Sequence, residues 1–146
     1  MAEFCIGKSD SEFLKVQILS RPHGGGDYWD GNWLDAKIEL RAGGFRGRFH
    51  AYLRGEELKT FHDALNRLYA FAATEADFET MEEQLRIKIK GDGLGHFEAA
   101  CVAEDKAGIG NRLSFSLNFD QTEIPIILSG LESVMKEFPV VGRIDA

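Results

Sequence analysis

Apolar and polar positions alternate with a period of two over much of this chain. Leu14, Val16 and Ile18 are separated by Lys15 and Gln17, and Leu34, Ala36, Ile38 and Leu40 by Asp35, Lys37 and Glu39. Phe45, Gly47, Phe49, Ala51 and Leu53 alternate with Arg46, Arg48, His50 and Tyr52. The pattern returns at Leu85, Ile87 and Ile89, at Phe97, Ala99, Cys101 and Ala103, and at Leu113, Phe115, Leu117 and Phe119. Successive side chains of a strand point to opposite faces, so each run is a strand with one apolar and one polar side, as in an antiparallel sheet covered on one face.

Two segments change to helical spacing. Glu56 to Ala72 places Leu58, Phe61, Leu65 and Leu68 on one stripe, and Thr122 to Phe138 places Ile127, Leu128, Leu131, Met135 and Phe138 on another. Thr122 is the expected N-cap of the second helix, with Pro125 in its first turn and Pro139 ending it. The expected fold is therefore α+β in the order β-β-β-α-β-β-β-α. It consists of one antiparallel sheet of about six strands with two helices on one face, forming a single domain over residues 1–146.

Parity also constrains the hairpins. Pairing Glu39 with Arg48 sets Ile38 opposite Phe49 and Leu34 opposite Leu53, all inward. In the second hairpin, a two-residue turn at Asp92-Gly93 would set Ile89 against His96 and bury polar groups. An odd loop such as Gly91 to Gly95 instead pairs Ile89 with Phe97 and Lys88 with Glu98. A one-residue slip inverts a whole face, so burial predicts the odd loop.

Composition narrows the function. The 24 acidic against 17 basic residues give a net charge of −7, which argues against a direct nucleic-acid binder. No apolar run is long enough to span a membrane, and the first residues carry no signal-peptide pattern, so a cytoplasmic protein is expected. Cys5 and Cys101 form no CxxC pair and are expected as reduced thiols. His23, His50, His62 and His96 have no metal-type spacing, and no GxSxG elbow or other nucleophile motif is present, so no catalytic residue, metal or cofactor is expected. Gly91 to Gly95 lies between strands rather than opening a helix, which makes it a hairpin turn and not a phosphate cradle; Gly24 to Gly26 reads as a flexible connection. The basic rows Arg46, Arg48, His50 and Arg54, and Arg86, Lys88 and Lys90, read as exposed sheet faces balanced by Asp35, Glu39 and Glu98 across the ladders.

Two stretches stand apart. Asp27-Tyr28-Trp29-Asp30-Gly31-Asn32-Trp33-Leu34 holds both tryptophans beside carboxylates, around a turn signal. Between Arg67 and Arg86 there are five acids, Glu75, Asp77, Glu79, Glu82 and Glu83, and no basic residue; a solvated loop is the plain reading. Aromatic rings supply buried area and acids supply steering, a combination suited to a basic protein partner. The candidate partner-binding residues are therefore Asp27, Tyr28, Trp29, Asp30, Trp33, Glu75, Asp77, Glu79, Glu82 and Glu83. The same three rings, Tyr28, Trp29 and Trp33, also suit a stacking platform for a small molecule or carbohydrate, and an enzyme would need a pocket assembled from distant residues.

Several uncommon words occur in a fixed order: the 27–34 segment, Gly43-Gly44-Phe45, Phe78-Glu79-Thr80-Met81-Glu82-Glu83, Gly91-Asp92-Gly93-Leu94-Gly95-His96, Gly108-Ile109-Gly110-Asn111 and Phe119-Asp120-Gln121-Thr122. In these, over roughly residues 6 to 138, the chain resembles the immunity proteins of wall-associated-protein (WapI-type) toxin systems. The resemblance implies a non-enzymatic cytoplasmic protein that binds and neutralises the C-terminal domain of a bacterial toxin, in related systems often a basic nuclease acting on tRNA. It carries over no catalytic or contact residues.

Overall fold

The computed structural model describes residues 2–8, 10–24 and 26–144; Gly25, the middle of the expected glycine connection, lies outside them. The elements are β1 (Glu3–Gly7), β2 (Phe13–Ser20), α1 (Tyr28–Gly31), β3 (Trp33–Ala42), β4 (Phe45–Arg54), α2 (Gly55–Tyr69), β5 (Glu75–Glu79), β6 (Leu85–Gly91), β7 (His96–Glu104), β8 (Arg112–Asp120) and α3 (Ile124–Glu137), with a 3₁₀ turn at Gln121–Glu123. The expected α+β class with antiparallel pairing is present, but the sheet count differs. Two four-stranded sheets, β1-β2-β3-β4 and β5-β6-β7-β8, replace the single six-stranded one, and each is followed by a helix. The additional strands are β1 and β5. Each buries only two side chains, Phe4 and Ile6 in one and Ala76 and Phe78 in the other, so neither has a long alternating signature. The stretch read as an acidic loop is therefore a strand in its first half.

The helices cross over between the halves. α2 follows the first sheet but packs on β5, the first strand of the second; α3 follows the second sheet but packs on β1. At the centre, Phe4 of β1, Phe61 of α2 and Phe78 of β5 form a buried trio with ring centroids 5.2 to 6.2 Å apart. One continuous apolar cluster takes in the inward faces of both sheets and the stripes of both helices. α3 approaches β1 so closely at Gly130 that a Cβ there would sit 2.8 Å from the Glu3 carbonyl oxygen. On the surface, His62 of α2 pairs with Glu132 of α3 at 2.8 Å.

The β3–β4 register is the expected one, with Ile38 opposite Phe49, Glu39 opposite Arg48 and Leu34 opposite Leu53. Phe45, however, is 65% exposed, because the hairpin runs past the end of the core. The β6–β7 loop has the expected odd parity, but the partners are offset by two residues. Gly91 faces Phe97, Lys90 faces Glu98 and Ile89 faces Ala99. Asp92 accounts for the offset: its carboxylate accepts the N–H groups of Leu94 and His96 and fixes the loop one residue further along.

Helix ends also moved. α2 stops at Tyr69 rather than Ala72, because Phe71 N–H donates to Leu68 O and Ala72 N–H to Arg67 O, a Schellman closure with Phe71 at φ +58°. At the start of the second helical region, Asp120 takes the capping role expected of Thr122: its side chain accepts the Thr122 N–H at 2.9 Å. Val134, rather than Met135, is the fully buried residue of that turn.

Candidate partner-binding corner

The Asp27–Asn32 segment is one helical turn rather than a simple turn. Asp27 caps it by accepting the Asp30 N–H at 2.9 Å. Asn32, fully buried, then holds the corner to the C-terminal segment: its amide donates to Tyr28 O and Val141 O and accepts from Val141 N, all at 2.9 Å. Arg21 adds a second tie by donating to Pro139 O.

Arg54 lies beneath this turn. Strand parity puts it on the outer face, opposite Trp33, yet it is 1% exposed. Its guanidinium donates to Trp29 O at 2.7 Å, to Tyr28 O at 2.9 Å and, through Nε, to Glu56. The rings of Trp33, Trp29 and Tyr28 surround it at 5.0, 5.5 and 5.6 Å. A buried cation is tolerated only with such compensation. Tyr28 and Trp33 are consequently half-buried against Arg54, and Tyr28 meets Trp29 edge-on at 85°. The three rings wrap a side chain of the protein itself and do not form a flat stacking platform. Trp29 still presents 52% of its surface to solvent.

The first turn of α2 links this corner to the acidic segment. Glu57 Oε1 accepts the Arg54 N–H and Oε2 accepts the Met81 N–H, each at 2.6 Å. Glu57 supplies half of a capping box; Arg54, which has no acceptor, cannot supply the other half. Burial pushes the Glu57 carboxyl above its ordinary range, partly offset by those two N–H groups.

The ten predicted residues fall into three sets. Asp27, Tyr28, Trp29, Asp30 and Trp33 form the corner. Glu82 and Glu83 lie in the adjacent turn around exposed Met81, and Glu83 has a left-handed backbone at φ +60°. Glu75, Asp77 and Glu79 line the outer face of β5, where Glu79 pairs with Arg86 at 3.2 Å and Glu75 with Lys88 and Lys90 at 3.7 Å. These acids balance the second basic row together with Glu98, which faces Lys90 across the β6–β7 ladder. In the first row, His50 pairs with Asp35 at 3.4 Å and Arg48 with Glu39 at 3.7 Å. Among the described residues, Asp30, Asp77, Glu82 and Glu83 enter no ion pair. Glu79, Met81 and Glu83, with Arg86 and Arg112, line a depression of about 260 Å³.

Arg54, expected in an exposed basic row, and Asn32, expected only as part of a turn, are both buried at the corner, and Glu57 carried no sequence signal. The position of Arg54 opposite a tryptophan just before a helix was the one available signal. Cys5 and Cys101 are free thiols, and burial pushes Cys101 up to about 12, far from a reactive thiolate. Among the described residues, no three His, Cys, Asp or Glu side chains gather as a metal-binding group, and no helix is long and apolar enough to cross a membrane.

No curated protein sequence matches the chain. Solved structures that overlap it include Trypanosoma bruciei MRP1/MRP2 (TM-score 0.49, 10% identity, covering 94% of this chain and 84% of that one). Another is a guide-RNA-binding protein complex bound to a gRNA (TM-score 0.48, 10% identity, covering 92% and 88%). The model of the immunity protein WapI-like family matches residues 5–139, nearly the whole chain, and this protein belongs to that family.

Proposed function

We propose that this protein binds the C-terminal toxin domain of a contact-dependent or secreted bacterial toxin and neutralises it by covering its active site, with no enzymatic step of its own. The observation that carries this reading is membership of an immunity family across residues 5–139. The contact surface we assign is the corner at the start of α2 with the turn beside it, Trp29 being the aromatic anchor and Asp30, Glu82 and Glu83 the acids free to meet a basic toxin. Rings that bury on contact lengthen residence, while unpaired surface acids speed encounter with a cation-rich partner. A basic toxin domain acting on tRNA fits a partner of net charge −7, and the protein would work in the cytoplasm as one domain without touching nucleic acid itself.

The test is a pull-down paired with growth rescue. The bait is this protein, and the prey is the C-terminal domain of the large secreted protein encoded beside its gene. Binding with restored growth of toxin-expressing cells is the expected result. Two folded proteins that neither bind nor rescue would overturn the assignment.

A further inference from the structure

β4 is one of the two outer strands of the first sheet and β8 one of the two of the second. Their neighbouring ends flank a cleft of about 460 Å³, lined by Phe45 and Phe49 of β4, Leu113 of β8 and Leu40, with Arg46 and Arg48 beside them. Phe45 is largely exposed, and Phe49 and Leu113 are only partly buried against the core. Gln84 donates to His50 O at 3.2 Å and closes the β4 edge at that point. From Phe45 to Phe49, no hydrogen bond among the described residues engages β4 on the side away from β3. Unpaired N–H and C=O groups on such an edge are a template for another strand.

Charge selects which strand. Several cations on the outer faces stand beside carboxylates: Lys15 by Glu3, Arg86 by Glu79, Lys88 and Lys90 by Glu75, and Arg112 by Glu104. Arg46 instead stands directly opposite Arg41 in the ladder. The neighbouring carboxylates are already engaged, Glu39 by Arg48, Glu12 by the Gly43 N–H and Asp105, which lines the same cleft, by Asn111. Like charges directly opposed weaken a ladder, so this end of β4 gains from an acid supplied from outside.

We infer that the β4 edge from Phe45 to Phe49 receives an extended acidic segment of a partner protein. The segment adds as a fifth strand of the first sheet, with its apolar side chains in the cleft and its carboxylates against Arg46 and Arg48. Pairing with β4 of a second copy would set arginine against arginine, so the charges that select an acidic strand also disfavour self-association. The site lies at the opposite end of β4 from Arg54 and does not depend on the corner assigned above.

The probes are two capped synthetic peptides, one alternating glutamate and valine, the other lysine and valine. Amide hydrogen exchange followed by NMR should slow severalfold at residues 45–49 on adding the glutamate peptide, which should bind about tenfold more tightly than the lysine one. Arg46→Glu with Arg48→Glu should reverse that order, and Arg46→Gln alone, a milder change at an exposed site, should reduce the preference. Net charge alone would favour the lysine peptide, so it cannot produce the expected result. Equal binding of the two peptides, protection at another edge, or a preference unchanged in both variants would overturn the inference.

Discussion

Arg54 and Trp33 face each other across the β3–β4 ladder, with the guanidinium 5.0 Å from the ring centroid and almost completely out of solvent. The cation satisfies two carbonyls of α1 and the Glu56 carboxylate; its loss takes the donor from Trp29 O and Glu56, while Tyr28 O keeps only the Asn32 amide. Arg54→Met should destabilise the protein by about 3–5 kcal/mol, lowering Tm on the order of 10 °C. Arg54→Lys keeps the charge but not the planar fork, and should fall between wild type and Arg54→Met. Thermal melts followed by tryptophan fluorescence would read both. A methionine variant melting within about 2 °C of wild type would show that the corner does not depend on this residue.

At the proposed toxin interface, rings and acids should separate kinetically. Trp29→Ala should raise the dissociation rate by roughly tenfold or more while leaving association nearly unchanged. Reversing Asp30, Glu82 and Glu83 to lysine should slow association and flatten its dependence on salt. Surface plasmon resonance across a salt series measures both. Unaltered kinetics in both folded variants would remove these residues from the interface while leaving the immunity reading intact.

Face and parity were legible in the sequence because burial imposes them locally. Leu34, Ala36, Ile38 and Leu40 are all buried as their alternation requires, and β4 pairs with β3 in the deduced register. The number of sheets was not legible, since alternation says which face is inward but not which strand is a neighbour. β1 and β5 are short, and the uniform acid charge of Glu75, Asp77 and Glu79 resembles a solvated loop until Lys88 and Lys90 stand opposite. The tryptophan-rich segment was legible as a special site, but not as one folded around Arg54. Its closure depends on Val141, more than a hundred residues away in the chain.

Phe71 offers a direct test of how α2 ends. It occupies the left-handed region at φ +58° while its ring is 64% exposed, so the backbone strain is poorly repaid by burial. Phe71→Gly should stabilise the protein by about 1 kcal/mol, because glycine adopts this conformation without a Cβ penalty. Phe71→Ala loses the ring but keeps the strain and should show no such gain. Urea midpoints for the pair would separate the two effects, and equal midpoints would remove backbone strain as the cause.

Stability should respond to acid with two opposite slopes. Hydrogen bonds hold three carboxyls below their usual 3.8: Asp92 by the N–H groups of Leu94 and His96, Asp105 by Asn111, and Asp120 by the hydroxyl and N–H of Thr122. Their contribution is complete above 3.8 and is lost as pH falls through the lower folded values. Glu57 is shifted the other way by burial, so the folded state holds its proton more tightly than the unfolded chain does. Its contribution is favourable at acid pH and declines as pH rises from 4.5 through the folded value. Urea midpoints against pH should climb out of strong acid and then slope gently down, with Asp92→Asn flattening the acid limb. A carbon-detected NMR titration should place the Glu57 midpoint above 4.5; a midpoint at or below it would refute its assignment.

The crossed helices predict that the halves cannot fold apart. A fragment ending at Ala72 would contain β1 to α2 without the β5 that α2 packs on, and would leave β1 without α3. A fragment beginning at Ala73 has the complementary defect. Phe61 illustrates the cost: its ring contacts lie on β1 and β5, so each fragment retains only part of the buried trio. Each fragment alone should give circular dichroism with little native signal. Mixing them should restore it, since the trio and both helix docking faces form only between the two. The intact chain should unfold in one cooperative transition, with fluorescence and circular dichroism coincident. Phe61→Ala should lower that transition by about 3–5 kcal/mol without splitting it. Two separated transitions, or a fragment that melts cooperatively by itself, would show instead that each four-stranded sheet with its helix is an independent unit.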